Sequence, residues 1–278
     1  MPLASVNGVK IYYETHGEGE ALMLISGTGA SCDGWRKYQV PAFAKHHKVV
    51  IFDHRGVGKS DKLDETYSTR GFAADAVGLM EFLGIARCSF IGHSMGGRVA
   101  QWIALDYPQR IYALVLSSSG SGKFSASTEV VRGLPLKQTE AMVKQGYEDW
   151  WAKHLSDADF MFPMDVREQH DELMRERRAL AQGAMPPLRP YLRHVIARQQ
   201  HETTDLLRNI KAPTLVIVGG KDVNVGGTGN HLESSKVLAE RIPNAELVVI
   251  EGAAHGYMWQ YPEKANSVMM NFIDNIEN

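Results

Sequence analysis

Six short runs of almost unbroken apolar residues punctuate the chain: ALMLIS at 21–26, KVVIFD at 48–53, CSFIG at 88–92, ALVLS at 113–117, TLVIV at 214–218 and ELVVI at 246–250. Runs of this length, without polar alternation, suit parallel strands covered on both faces. Between them apolar residues recur every three or four positions. Ala73, Val77, Met80 and Leu83 precede Gly84, a helix stop; Val99, Trp102 and Ile103 precede Pro108; Ala265, Val268, Met269, Phe272 and Ile276 form a closing amphipathic stripe. Strand and helix in alternation predict an α/β class, with an open, doubly wound, mostly parallel sheet.

The alternation stops between about residues 122 and 190, where no strand-like run occurs and Met and aromatic residues, among them Met142, Trp150, Trp151, Met161, Phe162 and Met174, are interspersed with charges. Val143, Tyr147, Trp150 and Trp151 fall on one helical face. This predicts a helical cap, 122–190, inserted into a core of 1–121 and 191–278 and lying over the carboxyl ends of the strands, where such sheets bind ligands. Most of its apolar residues are expected to form the cap's own core and a minority to line a pocket.

Composition narrows the class further. At 278 residues, 44% hydrophobic and 22% charged, the chain can bury enough surface to fold without metals or disulfides. The net charge is −2 and the 30 basic residues are dispersed, which argues against a nucleic-acid or anionic-membrane surface. Cys32 and Cys88 have no paired spacing, the start MPLASVNGVKIYY lacks a secretory pattern, and no apolar run approaches the roughly 18 residues of a membrane span. The expectation is a cytoplasmic protein acting on a small molecule, with a homodimer left open.

FDHRGVGKSD at 52–61 ends like a phosphate-binding loop. Such a loop needs a glycine five residues before Gly58, and that place holds Asp53, whose charge would repel a polyphosphate. Gly92-His93-Ser94-Met95-Gly96 carries more: it is G-x-S-x-G between an apolar run and a helical one, the context that holds a serine on a strained turn at a helix's amino end. Serine needs a base and an orienting acid. Of the 11 histidines, His255 in IEGAAHGYMW sits just past the last strand; His93 and His54 are expected to be structural, and the rest to be solvated or in the cap. LSSSGSG after the fourth apolar run offers no carboxylate, whereas TLVIVGGKD after the fifth ends in Asp222. VNVGGTGNH then reads as a flexible connection.

With Ser94, Asp222 and His255 in that order, and with SGTGAS at 26–31, Trp35, DHRGVGKSD and AHGYMWQYPE, the chain resembles an α/β-hydrolase-fold serine hydrolase over nearly its whole length. The resemblance implies oxyanion donors at the backbone N–H groups of Thr28 and Met95. Ser26 stands where relatives usually carry His, and Gln260 where Glu is common. The triad and the Met/Trp-rich insertion together point to an ester or lactone hydrolase for a small, fairly apolar substrate, with Trp35, Trp150, Trp151, Met161, Tyr257 and Met258 as expected substrate contacts. A carbon–carbon bond hydrolase of ring-cleavage products is the alternative, with Arg193 or Arg198 at a substrate carboxylate, and a hydrolase-fold ligand receptor is a third reading. No cofactor and no metal is called for; neither H-E-x-x-H nor H-x-H-x-D occurs.

Overall fold

The computed structural model describes residues 2–122, 136–156, 161–223 and 230–277. Its strands are β1 (Leu3–Val6), β2 (Val9–His16), β3 (Ala21–Ile25), β4 (Lys48–Phe52), β5 (Cys88–His93), β6 (Ile111–Ser117), β7 (Thr214–Gly219) and β8 (Ala245–Ile250). They form one sheet in the order β1-β2-β4-β3-β5-β6-β7-β8. The six apolar runs are its six parallel strands, and the two antiparallel strands at the amino end were not anticipated. Asn7 (φ 47°) and Gly8 (φ 77°) make the two-residue turn between β1 and β2, a conformation that Asn-Gly favours.

The helices are α1 (Gln39–Phe43), α2 (Thr69–Phe82), α3 (Met95–Asp106), α4 (Leu136–Gln145), α5 (Tyr147–Ser156), α6 (Met164–Gln169), α7 (Asp171–Gly183), α8 (Leu188–Gln199), α9 (His231–Arg241), α10 (Tyr257–Gln260) and α11 (Pro262–Glu277). Side-chain alternation along each strand assigns them to faces. Met23, Val50 and Phe52 join Phe72 and Val77 of α2, Val99 and Ile103 of α3 and Leu238 of α9 in one core. Leu22, Leu24, Val49 and Ile51 meet Phe43 of α1 and Met269 and Ile273 of α11 in the other. Both cysteines are buried and neither forms a disulfide. Among the described residues no helix is long and apolar enough to cross a membrane.

Between β6 and β7 run α4 to α8. The boundary expected at 190 falls inside α8, because that helix is continuous from Leu188. Residues 123–135 and 157–160 of the expected cap lie outside the described ones, as do 224–229 of the VNVGGTGNH stretch. Met142, Trp150, Trp151, Ala181, Tyr191 and Val195 form one cap core, and Met161, Phe162, Val166 and Met174 another. Val143 does not share a face with Trp150 and Trp151: Gly146, at φ 83°, ends one helix before the next begins, and Val143 is left 79% exposed.

Candidate active site

The turn after β5 is built by main chain. Ser94 has φ 57° and ψ −118°, a left-handed conformation that costs energy for any residue with a Cβ. Its N–H donates to Ser117 O of β6 at 2.8 Å, and Ser119 Oγ donates to Ser94 O at 2.8 Å, so the strain is held from the neighbouring strand end. The flanking glycines are steric necessities: a Cβ on Gly92 would lie 2.4 Å from Gly96 O, and one on Gly96 would lie 2.1 Å from Ile25 O. Ser94 thereby stands at the amino end of α3, where the dipole favours developing negative charge.

The loop after β3 runs alongside, since a Cβ on Gly27 would stand 3.1 Å from Ser94 Cβ. Among the described residues neither the Thr28 nor the Met95 N–H has a hydrogen-bond acceptor, which leaves both amides available to an incoming oxygen. Without the usual histidine at position 26, the loop is ordered by other groups. Trp35 Nε1 donates to Ser26 Oγ at 2.9 Å, His54 Nε2 lies 3.2 Å from Ser26 O, and Gly29 N donates to His194 Nδ1 at 3.3 Å. His194, on α8, also reaches Arg55 O through Nε2 at 2.8 Å, so a cap helix pins the loop to the turn after β4. That turn is the DHRGVGKSD stretch. Asp53 accepts from Cys32 N and Lys59 N, each at 2.8 Å, Ser60 Oγ donates to Asp53 O at 2.6 Å, and Arg55 forks onto Asp75 with two 2.6 Å bonds.

Asp222 follows β7 and is fully buried. His255 Nδ1 lies 2.9 Å from Asp222 Oδ2. Burial alone would raise the Asp222 carboxyl, but His255 and His231 outweigh it and hold the group well below the usual carboxylate range. As an ionised carboxylate only accepts, His255 carries its proton on Nδ1 and leaves Nε2 unprotonated. Ser94 and His255 share the wall of one cavity.

Three of the six expected substrate contacts line this cavity, namely Trp35, Trp151 and Met161, and three do not. Trp150 faces into the cap core, stacked against Tyr147 with ring centroids 6.3 Å apart. Tyr257 lies beneath the site, its hydroxyl 2.7 Å from Ser117 Oγ, and Met258 packs in the sheet core against α1 and α11. The turn of α10 instead brings Trp259 to the cavity, four residues past His255, a helical spacing that the sequence does display.

The histidines also differ from expectation. His93 lines the cavity: its ring lies 4.7 Å from that of His255, and its Nδ1 is 2.9 Å from Ser117 Oγ. Burial, then His255, pushes the His93 pKa well below the ordinary value. His47, His194, His201 and His231 are buried rather than solvated, each held by a polar partner that, for all but His231, lies more than 100 positions away.

Two buried cations reach the same space. Arg177 of α7 lies 4.0 Å over the Trp259 ring, and burial lowers its pKa to about 10. Arg198 of α8 places Nη1 3.4 Å from Thr28 Oγ1, and burial lowers its pKa as well. Arg177 Nε, Arg198 Nε and Arg198 Nη2 are buried without a partner among the described residues. Arg193, the other expected cation, is turned to the surface and pairs with Asp64. Arg177 was not anticipated, since RERRAL offers three arginines on one helix with nothing to single it out.

Comparisons with known proteins agree with this architecture. A hydrolase of 2-hydroxy-6-oxononadienedioate and 2-hydroxy-6-oxononatrienedioate from Burkholderia vietnamiensis strain G4 is 31% identical over 273 residues, 95% of this chain and 91% of that one. A solved structure described as Est816, an N-acyl homoserine lactone degrading enzyme, is 28% identical with a TM-score of 0.79, covering 98% of this chain and 100% of that one. A bromoperoxidase from Bacillus anthracis is 26% identical with a TM-score of 0.80, covering 98% and 99%. The family model described as the alpha/beta hydrolase fold matches residues 20–262, and the chain belongs to that family of hydrolases.

Proposed function

We propose that this protein is a serine hydrolase that cleaves a small ester or lactone bearing a carboxylate, through an acyl-enzyme intermediate. The observation that carries the reading is the shared cavity: Ser94 and His255 stand on its wall together with Arg177 and Arg198, of which Arg177 Nε and Arg198 Nε and Nη2 are buried without a partner among the described residues. Leaving such donors unsatisfied is costly, and an anionic substrate group would satisfy them. This modifies the expectation of a merely apolar substrate. Trp35, Trp151, Met161 and Trp259 supply the apolar walls for the rest of the molecule.

In this reading His255 Nε2 takes the Ser94 hydroxyl proton as Oγ bonds to the substrate carbonyl carbon. Asp222 orients the imidazole and stabilises its charged form, while Thr28 and Met95 N–H receive the oxyanion, each worth about 3 kcal/mol of barrier. The imidazolium then protonates the leaving oxygen as the C–O bond breaks. Water, deprotonated by the same nitrogen, releases the acid and returns the proton to Ser94.

The paired arginines also favour a second reading, hydrolysis of a carbon–carbon bond beside a carbonyl in a ring-cleavage diketone acid, since the Burkholderia relative is named for a dioate. A panel of p-nitrophenyl esters, acid-bearing lactones and vinylogous diketone acids separates the two. Ester or lactone turnover abolished by Ser94→Ala supports the first, and diketone turnover alone supports the second. Wild-type rate in Ser94→Ala defeats both, and tight binding with no turnover of any class points to a receptor.

A further inference from the structure

Asp222 is bracketed by two imidazoles. His255 Nδ1 lies 2.9 Å from Oδ2, His231 Nδ1 lies 3.3 Å from Oδ1, and the two rings stack with centroids 4.8 Å apart and planes at 19°. Both must present N–H, since an ionised carboxylate donates nothing. His231 is the first residue of α9, and the residues on either side of it fix its place. Asn230 caps the helix by accepting from Glu233 N at 3.0 Å, and Leu232 N donates to Asp222 O at 3.1 Å. The helix thus docks on the acid's own backbone and its first side chain reaches the acid's carboxylate. His231 is buried and is not among the residues lining the cavity, so substrate does not account for its placement.

We propose that His231 is a positioning residue: its Nδ1–H fixes the rotation of the Asp222 carboxylate so that Oδ2 faces His255 and holds that histidine in the tautomer with Nε2 unprotonated. This rests on the roles proposed above for Ser94, Asp222 and His255. A carboxylate bonded at one oxygen can swing about Cβ–Cγ, whereas one bonded at both cannot do so without breaking a bond. The second donor also draws charge away from Oδ2, so Oδ2 favours the imidazolium form of His255 less strongly than an unshared carboxylate would. Among the described residues the groups that act on His231 are Asp222 after β7, His255 after β8, Arg98 of α3 and His93 at the end of β5, whose ring also faces that of His255. Burial keeps His231 neutral, with its pKa pushed down to about 4 against the pull of Asp222, so the donor is unchanged across neutral pH.

Three variants test the inference, with p-nitrophenyl acetate as the activity probe and the downfield Nδ1 proton resonance of His255 as a readout independent of turnover. His231→Leu should lower kcat by about 10- to 100-fold, the usual cost of removing a residue that supports a reacting group, with KM within about twofold. It should also move the acid limb of kcat/KM to higher pH and shift or abolish the downfield resonance. His231→Asn, whose side-chain N–H can occupy the place of Nδ1–H, should restore most of kcat, the limb and the resonance. Thermal unfolding of each variant confirms that the fold persists. Wild-type kcat, limb and resonance in His231→Leu would overturn the proposal, as would equal losses in the Leu and Asn variants with the limb and resonance unmoved, the result of mere space-filling. Wild-type turnover in Ser94→Ala would remove the reading beneath it, and the proposal with it.

Discussion

Ser94 follows β5 and Asp222 follows β7, with β6 between them, and the two ends of the site are made of different material. Around Ser94 the constraints act on the main chain: a left-handed φ, hydrogen bonds from its N–H to the next strand and onto its carbonyl from Ser119, and two positions where any Cβ would strike a carbonyl. Around Asp222 the carboxylate is held by side chains, one imidazole from beyond β8 and one from the start of α9. Geometry made by backbone demands particular residue types at fixed offsets and so leaves a signature in the sequence. Geometry made by side chains needs only a donor at the right point in space, which many positions could supply.

The contrast can be broken most sharply at the acid. Asp222→Asn should lower kcat by about 10⁴-fold with KM little changed, because an amide no longer selects the required imidazole tautomer. Steady-state kinetics read this, and a loss below tenfold would mean that the acid half is dispensable. The backbone half fails differently: Gly96→Ala sets a Cβ against Ile25 main chain and should cost at least about 2 kcal/mol of stability in urea unfolding. An undiminished midpoint would show that the turn can yield.

Acidification tests the side-chain half as a group. Burial pushes His54 to about 3, His194 and His231 to about 4, and His93 and His201 well below the ordinary value. Their folded pKa values lie below the unfolded one, so below about pH 6.5 the unfolded chain binds protons that the native one refuses. Stability should therefore fall from pH 7 to pH 5, by up to about 1.4 kcal/mol per pH unit for each histidine kept neutral; Asp53, whose carboxyl burial raises, opposes this weakly. Urea unfolding at pH 7, 6 and 5 measures it, and a flat profile would contradict neutral burial. Next in size, His194→Leu removes the acceptor for Gly29 N and should cost about tenfold in kcat through a looser oxyanion loop, equivalent to about 1.4 kcal/mol of barrier. Smallest of all, Trp150→Phe should leave kcat/KM within about twofold, since Trp150 packs in the cap core rather than on the cavity.

The same contrast explains what could be read from the chain. The six parallel strands were legible because burial on both faces writes continuous apolar runs, and the serine turn because its glycines cannot be replaced. The β1–β2 hairpin carried a readable sign in Asn7-Gly8 that its short, half-polar strands obscured. His194, His231 and Arg177 were hidden for a physical reason. His194 acts on Gly29 across 165 positions and Arg177 packs on Trp259 from another helix, while His231 is only nine positions from Asp222 but has nothing local to mark the pairing. Ser26 shows the compensation most plainly, for the ordering usually expected of one histidine is divided here among Trp35, His54 and His194.

Trp259 has one further consequence. Its indole lies under the Arg177 guanidinium, meets the edge of the His93 ring at 5.6 Å and is tethered through Nε1 to Gly34 O at 3.1 Å. A fluorophore fixed in place, with a cation on its face and an imidazole at its edge, reports on both. A carboxylate that draws Arg177 away from the ring would alter the emission before any bond is cleaved, giving the protein a built-in optical gauge of occupancy that Ser94→Ala would leave intact.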